Sequence, residues 1–293
     1  MREDRPTGRS LAEWLVPPAI ARRLRLRRLR RELEVDAFQR RLLARNAGLR
    51  HRHRGRRCFV IGNGPSLNEL DLAPLGRELT FVMSRFHLNP VLGRWRPTYY
   101  FNSGAEPVEQ IRRQVAPLGA RAYFFKTLAR TRVERVPELH PGDVYFLLPG
   151  ERYLFEEWPE GHDPTDPTGT LCKTTSGSQL AILMALWMGC SPIVLIGHDH
   201  DWLARPDRYL RFYESPAEKA PTDPGDYSYR RRMEGTLAIW RTYERLRDTA
   251  RRRGQEIVNA TRGGYLDVFP RVDYEDLVSP GTPTPAAPAA RRR

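Results

Sequence analysis

The stretch that decides the fold is Cys58-Phe-Val-Ile-Gly-Asn-Gly-Pro-Ser-Leu67. Its first four residues are typical of a buried strand, and the pattern Ser-Leu-Asn-Glu that begins at Ser66 is typical of a helix start. Glycine lets the backbone approach an anion closely, and the free amides at a helix N-terminus attract negative charge. The stretch therefore predicts a strand, a turn and a helix, with a phosphate bound by the loop residues Gly62, Asn63, Gly64, Pro65 and Ser66.

This loop differs from two well-known nucleotide-binding patterns. It lacks the Gly-Lys-Ser/Thr of a Walker A loop, and the third glycine position of the dinucleotide fingerprint holds Leu67. Its place after the first strand is nevertheless where open α/β sheets bind ligands. A tight strand-to-helix turn without a ligand is the alternative.

Seven short apolar runs alternate with helical segments along the rest of the chain. The runs cover residues 58–61, 80–83, 98–101, 122–125, 144–148, 193–196 and 256–259, and the helical candidates include 107–116, 177–188 and 234–253. Such alternation is typical of parallel sheets. We predict an α/β fold over residues 57–278, with a Rossmann-like, mostly parallel sheet and helices on both faces. Residues 151–174 and 204–227 are predicted loops, of the kind that often covers a site.

The chain ends carry most of the charge. Residues 1–57 hold 18 arginines and 6 acids, whereas 58–290 is close to neutral, so the net charge of +14 belongs to the ends. We expect a basic helical extension over 1–56, with one long helix from about 18 to 46, and a disordered tail over 279–293. The extension either lies on an anionic membrane surface through residues 18–47 or packs on the main domain or on a second subunit of an oligomer. The near-neutral domain argues against nucleic acid as a partner.

The cellular location is predicted from the sequence patterns that the chain lacks. No stretch reaches the roughly 18 apolar residues of a transmembrane helix, and the charged first residues do not resemble a signal peptide. Three cysteines fit no zinc pattern, and Cys58 and Cys190 adjoin apolar runs that are typical of buried thiols. These features predict a cytoplasmic protein that is at most peripheral at the inner membrane.

A second anion site is indicated by Thr175-Ser176-Gly177, which leads into a predicted helix. Hydroxyls and free amides at a helix start bind anions, although simple capping of the helix is the alternative. With two such loops on one sheet, a shared ligand becomes the better interpretation.

Candidate catalytic groups follow the next strand in Gly197-His198-Asp199-His200-Asp201. His198, Asp199 or His200 is a candidate base, and Asp199 with Asp201 is a candidate pair of ligands for Mg²⁺ or Mn²⁺. Ordinary polar residues at a strand end are the alternative.

Two more strand ends complete the predicted crevice. Asn102 follows the third strand and has an amide that fits a ribose or a phosphate. Asn259 and Arg262 follow the last strand, and the Arg262 guanidinium can hold a carboxylate or phosphate with two hydrogen bonds.

Together these motifs resemble, over roughly residues 57–277, the superfamily named after archaeal 6-hydroxymethylpterin diphosphokinase, which includes the motility-associated-factor glycosyltransferases. The pattern is also similar to bacterial sialyltransferases that modify lipooligosaccharide. The ending Asn259-Ala-Thr-Arg-Gly-Gly-Tyr-Leu-Asp-Val-Phe-Pro-Arg-Val-Asp-Tyr274 looks like that of members found among surface-polysaccharide genes. The resemblance implies a Rossmann-like fold and a CMP-sugar held by the residues that match the motif: Asn63, Gly64, Ser66, Asn102, Thr175, Ser176 and Gly177.

Two departures from this pattern concern the chemistry. Ser84 stands where the sialyltransferases have a second donor-binding asparagine. The stretch 209–232 contains no histidine, although the resemblance implies a catalytic histidine there. Its tyrosines, among them Tyr213 and Tyr229, are candidates for stabilising a leaving phosphate.

Three hypotheses follow. The first is a glycosyltransferase that moves a sugar, such as a nonulosonic acid, from a nucleotide donor to a glycan acceptor in surface-glycan assembly. The second is pyrophosphate transfer from ATP to a pterin alcohol, with Mg²⁺ held by Asp199 and Asp201. The third is a non-catalytic module tethered to a membrane by its Arg-rich helix.

Overall fold

The computed structural model describes residues 17–102, 115–126, 141–204, 211–213 and 229–279. Its centre is a parallel sheet of eight strands. These are β1 (Cys58–Ile61), β2 (Leu79–Met83), β3 (Tyr99–Asn102), β4 (Ala122–Lys126), β5 (Val144–Pro149), β6 (Thr170–Leu171), β7 (Ile193–Ile196) and β8 (Ile257–Asn259). Their order across the sheet is β6-β5-β4-β3-β2-β1-β7-β8. The predicted α/β, Rossmann-like fold is confirmed.

The seven predicted strands lie within one or two residues of their observed bounds. Each consists largely of buried apolar residues, because helices and loops cover both faces of the sheet. The sequence does not predict the eighth strand, β6. This strand consists of only Thr170 and Leu171, which pair with the end of β5. It lies inside a segment that the sequence predicts as loop, since two residues carry no periodic signal.

Five α-helices are described: α1 (Pro18–Glu32), α2 (Ala37–Ala44), α3 (Gly177–Trp187), α4 (Tyr229–Arg252) and α5 (Tyr274–Val278). Helix α3 is buried along its whole length and packs on β1, β2 and β3. The helices predicted over 177–188 and 234–253 are confirmed as α3 and α4. Most of the helix predicted over 107–116, most of the loop 204–227 and the tail after 279 lie outside the described residues.

The single helix predicted over 18–46 is wrong, because the chain forms α1, α2 and a 3₁₀ turn at Arg45–Leu49. Asp36 ends the continuity. Its carboxylate accepts a hydrogen bond from the Gln39 amide at 2.8 Å, and the Gln39 side chain accepts one from the Asp36 amide at 3.2 Å. This reciprocal capping box starts a new helix.

The described part of the extension packs on the main domain, which is one of the alternatives left open by the sequence. Leu29, Leu43 and Leu49 are buried, and Arg22 and Arg25 pair with Glu157. All three cysteines are buried free thiols, as predicted for Cys58 and Cys190. Within the described ranges, no helix combines the length and the apolar character needed to cross a membrane.

Asn46 is the clearest link between the extension and the sheet. Its Nδ2 donates to the carbonyls of Phe146 and Pro167, at 2.8 Å in both cases, and its own carbonyl accepts from Trp187 Nε1.

Replacing Asn46 with alanine should lower the free energy of unfolding by about 2 to 3 kcal/mol, because two buried carbonyls lose their donor. Urea unfolding measures this. The exposed Arg41→Ala is the control, expected to change stability by less than about 0.5 kcal/mol. An equal effect of the two substitutions would contradict the packing role.

Candidate functional site

The candidate site is a cavity that lies where the sheet reverses its strand order. The chain runs from β1 through β2 to one edge and returns to β7 on the other side of β1. Open α/β sheets bind ligands at the carboxyl ends of such a strand pair. A cavity of about 380 Å³ lies there, between the loops after β1 and β7, the start of α3 and one face of α4. That volume lies within the usual range for a small-molecule site.

The cavity brings together nine of the sequence-predicted site residues: Gly62, Asn63, Gly64, Thr175, Ser176, His198, Asp199, His200 and Asp201. Its described lining does not include Pro65, Ser66, Ser84, Asn102, Gly177, Asn259 or Arg262. The lining also contains Gly197, which begins the predicted catalytic stretch, and residues to which the sequence argument gave no role: Ser178, Trp202, Arg211, Arg232, Gly235, Thr236, Ile239 and Tyr243.

The backbone amides of the glycine loop are used inside the protein. The Gly62 amide donates to the Ile196 carbonyl at 2.8 Å, and the Gly64 amide donates to the Gly197 carbonyl at 2.9 Å. The amide and hydroxyl of Ser66 both donate to the Asp199 carboxylate, at 3.0 and 2.9 Å. The prediction that Gly62, Gly64 and Ser66 offer amides to a phosphate is therefore wrong. At Ser66 the Asp199 carboxylate takes the place predicted for the phosphate.

Ser66 also does not start a helix in the predicted way. Residues Pro65–Glu69 form a short 3₁₀ turn whose N-cap is Gly64, which has no side chain, and the Ser66 hydroxyl is bound to Asp199. Gly62 and Gly64 are needed because the loop after β1 lies very close to the loop after β7. A Cβ at Gly64 would overlap Asp199 Oδ2, and one at Gly62 would overlap the Gly197 carbonyl.

Asp199 is thus a residue that joins the loops after β1 and β7. Burial raises the pKa of its carboxyl, while the hydrogen bonds from Ser66 act in the opposite direction. Each of its oxygens accepts one hydrogen bond from Ser66, which holds the carboxylate against the glycine loop. Among the described residues, no three His, Cys, Asp or Glu side chains form a group able to hold a metal ion. The magnesium site predicted from Asp199 and Asp201 stays a prediction, because two carboxylates together with ligand phosphates can also hold Mg²⁺.

His198 and His200 follow the same strand but present different nitrogens. His198 Nδ1 lies 2.9 Å from the Ile196 carbonyl, which can only accept, so Nδ1 carries the proton and Nε2 is an acceptor. His200 Nδ1 accepts a hydrogen bond from Trp240 Nε1 at 3.0 Å, so its proton is on Nε2. Burial lowers the pKa of His198 to about 4 and that of His200 to about 3. Both rings are therefore neutral near pH 7.

The opposite wall of the cavity is the N-terminus of α3. Ser176 caps this helix by accepting from the Gln179 amide at 3.3 Å, as the sequence predicts. The amides of the first helical turn have no carbonyl one turn earlier, and they carry the positive end of the helix dipole. Beside them, burial raises the pKa of Tyr243 to about 12, so its phenol is neutral.

Two arginines add positive charge to the same cavity. Arg232 lies on α4, and Arg211 precedes a residue that is fixed to the glycine loop. The Phe212 amide donates to the Asn63 carbonyl at 2.9 Å, and the Phe212 carbonyl accepts from Asn68 Nδ2 at 3.0 Å. With the start of α3, these guanidinium groups form an anion-attracting side of the cavity.

The remaining predicted residues have structural contacts elsewhere. Asn259 is buried and bonds to the Leu266 carbonyl and the Thr261 amide, while Arg262 pairs with Glu275 and the Glu69 carbonyl. The Ser84 carbonyl accepts from Tyr100, and Asn102 ends β3 as a buried residue. Asn259 and Arg262 therefore position the last loop and do not enter the cavity.

Arg262→Ala tests this correction. The side chain is exposed and its ion pair with Glu275 is at the surface, so stability should change by less than about 1 kcal/mol. Because Arg262 does not line the cavity, the affinity for any ligand of that cavity should stay unchanged. Ligand titration of wild type and of Arg262→Ala measures this affinity. A tenfold weaker affinity of the variant would show that Arg262 contributes to ligand binding.

The fold and the cavity together define an α/β protein with a Rossmann-like parallel sheet and an anion-attracting cavity at its switch point. The sequence matches no protein-family model, and no curated protein matches it significantly. The geometry of the cavity therefore carries the functional argument.

Proposed function

We propose that this protein is a transferase that takes a sugar from a nucleotide donor, in the assembly of a surface glycan. The observation that carries the proposal is the cavity between β1 and β7, where a helix N-terminus and two arginines face one space. A CMP-linked nonulosonic acid is the favoured donor, because of the resemblance of the motifs to sialyltransferases. The acceptor is a glycan hydroxyl.

The anion-attracting side of the cavity fits the nucleotide phosphate. Departure of the nucleotide leaves negative charge on a phosphate oxygen, and prearranged donors stabilise such charge. The first-turn amides of α3, the hydroxyls of Thr175 and Ser176, and the guanidinium groups of Arg211 and Arg232 supply these donors. Of the tyrosines suggested by the sequence, the two that the structure describes have other contacts: Tyr213 contacts Arg85 and Tyr229 donates to the Leu203 carbonyl.

His198 is the best-placed base. The acceptor hydroxyl attacks the anomeric carbon, the bond from that carbon to the phosphate oxygen breaks, and its electron pair leaves with the nucleotide. The hydroxyl proton passes to His198 Nε2, the bare nitrogen of a neutral ring. His200, with its proton on Nε2, is a hydrogen-bond donor in the same cavity.

The geometry favours sugar transfer over pyrophosphate transfer from ATP. The latter hypothesis needs Mg²⁺ on Asp199 and Asp201, yet both Asp199 oxygens accept from Ser66. The exposed arginines of α1 agree with work at the cytoplasmic surface of the inner membrane, since anionic lipids attract such a face. A non-catalytic tethering module does not require a ligand-binding cavity, so the cavity favours the transferase over that hypothesis.

A panel of nucleotides tests the proposal. CMP- and UDP-sugars, and ATP with a pterin alcohol, are incubated with the pure protein, and nucleotide release and thermal stabilisation are measured. We expect a CMP-sugar to raise Tm and to release CMP. AMP release with the pterin would support the second hypothesis instead, and no response to any nucleotide would exclude both.

A further inference from the structure

We propose that Asn63 and His198 form a paired-acceptor floor of the cavity that binds the hydroxyl-bearing part of the ligand. This inference rests on the proposed function for the identity of that part: the donor sugar at Asn63 and, at His198, the acceptor hydroxyl whose proton that ring takes. It adds the chemical character of the subsite and makes Asn63 a specificity-determining residue.

The Asn63 amide is oriented by the end of β2. Its Nδ2 donates to the Met83 carbonyl at 3.2 Å, and a carbonyl can only accept, so the NH₂ group must face Met83. Oδ1 therefore points away from this bond. The residue is only 5% exposed, and Oδ1 has no hydrogen-bond partner among the described residues.

The His198 ring is oriented by the end of β7 in the same way. The Ile196 carbonyl takes the Nδ1 proton, which leaves Nε2 as an acceptor. The residue is 3% exposed, and Nε2 also has no partner within the part of the chain that the structure describes. Both residues line the same cavity, Asn63 in the loop after β1 and His198 at the end of β7.

Buried acceptors are costly unless a donor reaches them. Sugar hydroxyls and amino groups carry protons to donate, whereas a deprotonated phosphate or carboxylate carries none. The floor therefore disfavours anions, while the start of α3 and the two arginines favour them. The cavity has two chemically different ends, and these match a ligand that joins a polyhydroxylated group to a phosphate.

The orientation argument also predicts which ligands are rejected. A site built to pair with a hydroxyl discriminates strongly against an analogue that lacks the proton, because its own polar groups are left unpaired. O-methylation removes the donors of a sugar and keeps its oxygens. We expect O-methylated sugars to lose most of their affinity for the floor.

Ligand-observed NMR tests the inference with free sugars, N-acetylneuraminic acid and glucose, and with their permethylated forms. Wild-type protein should bind a free sugar at least about tenfold more tightly than its permethylated form. Asn63→Leu removes one acceptor. His198→Asn keeps an NH₂ for the Ile196 carbonyl and removes the acceptor at the Nε2 position. Each should weaken sugar binding about tenfold or more, and His198→Gln, whose amide reaches the Nε2 position, should bind better than His198→Asn.

Thr174→Val is the matched control. The Thr174 hydroxyl is also buried and without a partner among the described residues, but Thr174 does not line the cavity. This variant should bind sugars as the wild type does, and circular dichroism checks the folding of all variants. The inference is overturned if wild type binds no sugar, if permethylated sugars bind equally well, or if both floor variants retain wild-type affinity.

CMP alone separates this inference from the proposed function. CMP should bind to the wild-type protein through the anion-attracting end of the cavity. Sugar binding that depends on the floor without any binding of CMP would sustain the inference and contradict the nucleotide donor. CMP binding without floor-dependent sugar binding would do the reverse.

Discussion

Replacing Gly64 with alanine is expected to destabilise the protein by about 3 kcal/mol or more and to abolish ligand binding. A Cβ at this position would overlap the Asp199 carboxylate and would lie 2.7 Å from the Gly197 carbonyl oxygen. The backbone must then shift, and forced shifts of this kind cost about 1 to 3 kcal/mol. Moving Asp199 also strands the amide and hydroxyl of buried Ser66, at about 1 to 3 kcal/mol.

Gly48→Ala and Gly93→Ala are the controls for this prediction. A Cβ at either position meets no atom within 4 Å in the part of the chain that the structure describes, and neither glycine has a positive φ. Their stability should change by less than about 1 kcal/mol in either direction. Chemical denaturation compares the three variants. A Gly64→Ala protein as stable as its controls would show that Asp199 does not clamp the glycine loop.

Acidification is expected to remove several kcal/mol of stability between pH 7 and pH 5. Burial lowers the pKa of His53 and of His198 to about 4, and that of His200 to about 3. In the unfolded chain each imidazole has a pKa near ~6.5. The unfolded state therefore takes up protons first as the pH falls, so stability is complete above about pH 6.5 and declines towards pH 4.

The size of this loss of stability can be worked out for His53 and His198, the two least exposed of these histidines. At pH 5, His53 and His198 each contribute about 2 kcal/mol less to stability than at pH 7. That loss is a large fraction of the roughly 5 to 15 kcal/mol that stabilises an ordinary domain. Urea unfolding at a series of pH values measures it. His198→Asn should flatten the curve, and a wild-type free energy of unfolding that is constant from pH 7 to pH 5 would contradict neutral buried histidines.

Most of the sheet could be predicted from the sequence. Parallel strands that are covered on both faces are continuous apolar runs, and seven of the eight carried that signal. Because the carboxyl ends of parallel strands meet at one edge, the loops after β1 and β7 could also be expected to share a site. The two-residue β6 and the break at Asp36 were beyond this argument, since they depend on local pairing and capping.

The role of the glycine loop could not be predicted in the same way. Gly62 and Gly64 have the pattern of a phosphate loop, but their close neighbours are Gly197 and Asp199, more than 130 residues along the chain. Only the folded structure shows that the approaching group is the protein's own carboxylate. Sequence alone cannot distinguish a bound phosphate from an internal anion.

The cavity-lining residues of α4 have a spacing in the sequence from which their common helical face could have been predicted. Arg232, Thr236, Ile239 and Tyr243 line the cavity and have the spacing of a single helical face. That spacing shows that they act together, although it does not show which sheet edge they approach. Arg211 carried no such signal, because its place depends on hydrogen bonds from Phe212 to the glycine loop.

Gly235 offers a direct way to fill the proposed nucleotide site. It lies exposed on α4 and lines the cavity, and a Cβ there meets no atom of the described residues within 4 Å. Leucine at this position should therefore enter the cavity without disturbing the protein. It should also favour the helix by up to about 1 kcal/mol, because glycine is a poor helix former. Gly48→Leu, in an equally open position away from the cavity, is the matched control.

The most direct test of the central claim is calorimetric titration of CMP into wild type, Gly235→Leu and Gly48→Leu. We predict that wild type and Gly48→Leu bind CMP with the same affinity, and that Gly235→Leu binds at least about tenfold more weakly, a difference of about 1.4 kcal/mol, while keeping its Tm. Equal binding of CMP by all three proteins would place the nucleotide outside this cavity, and no binding by wild type would contradict the nucleotide donor itself.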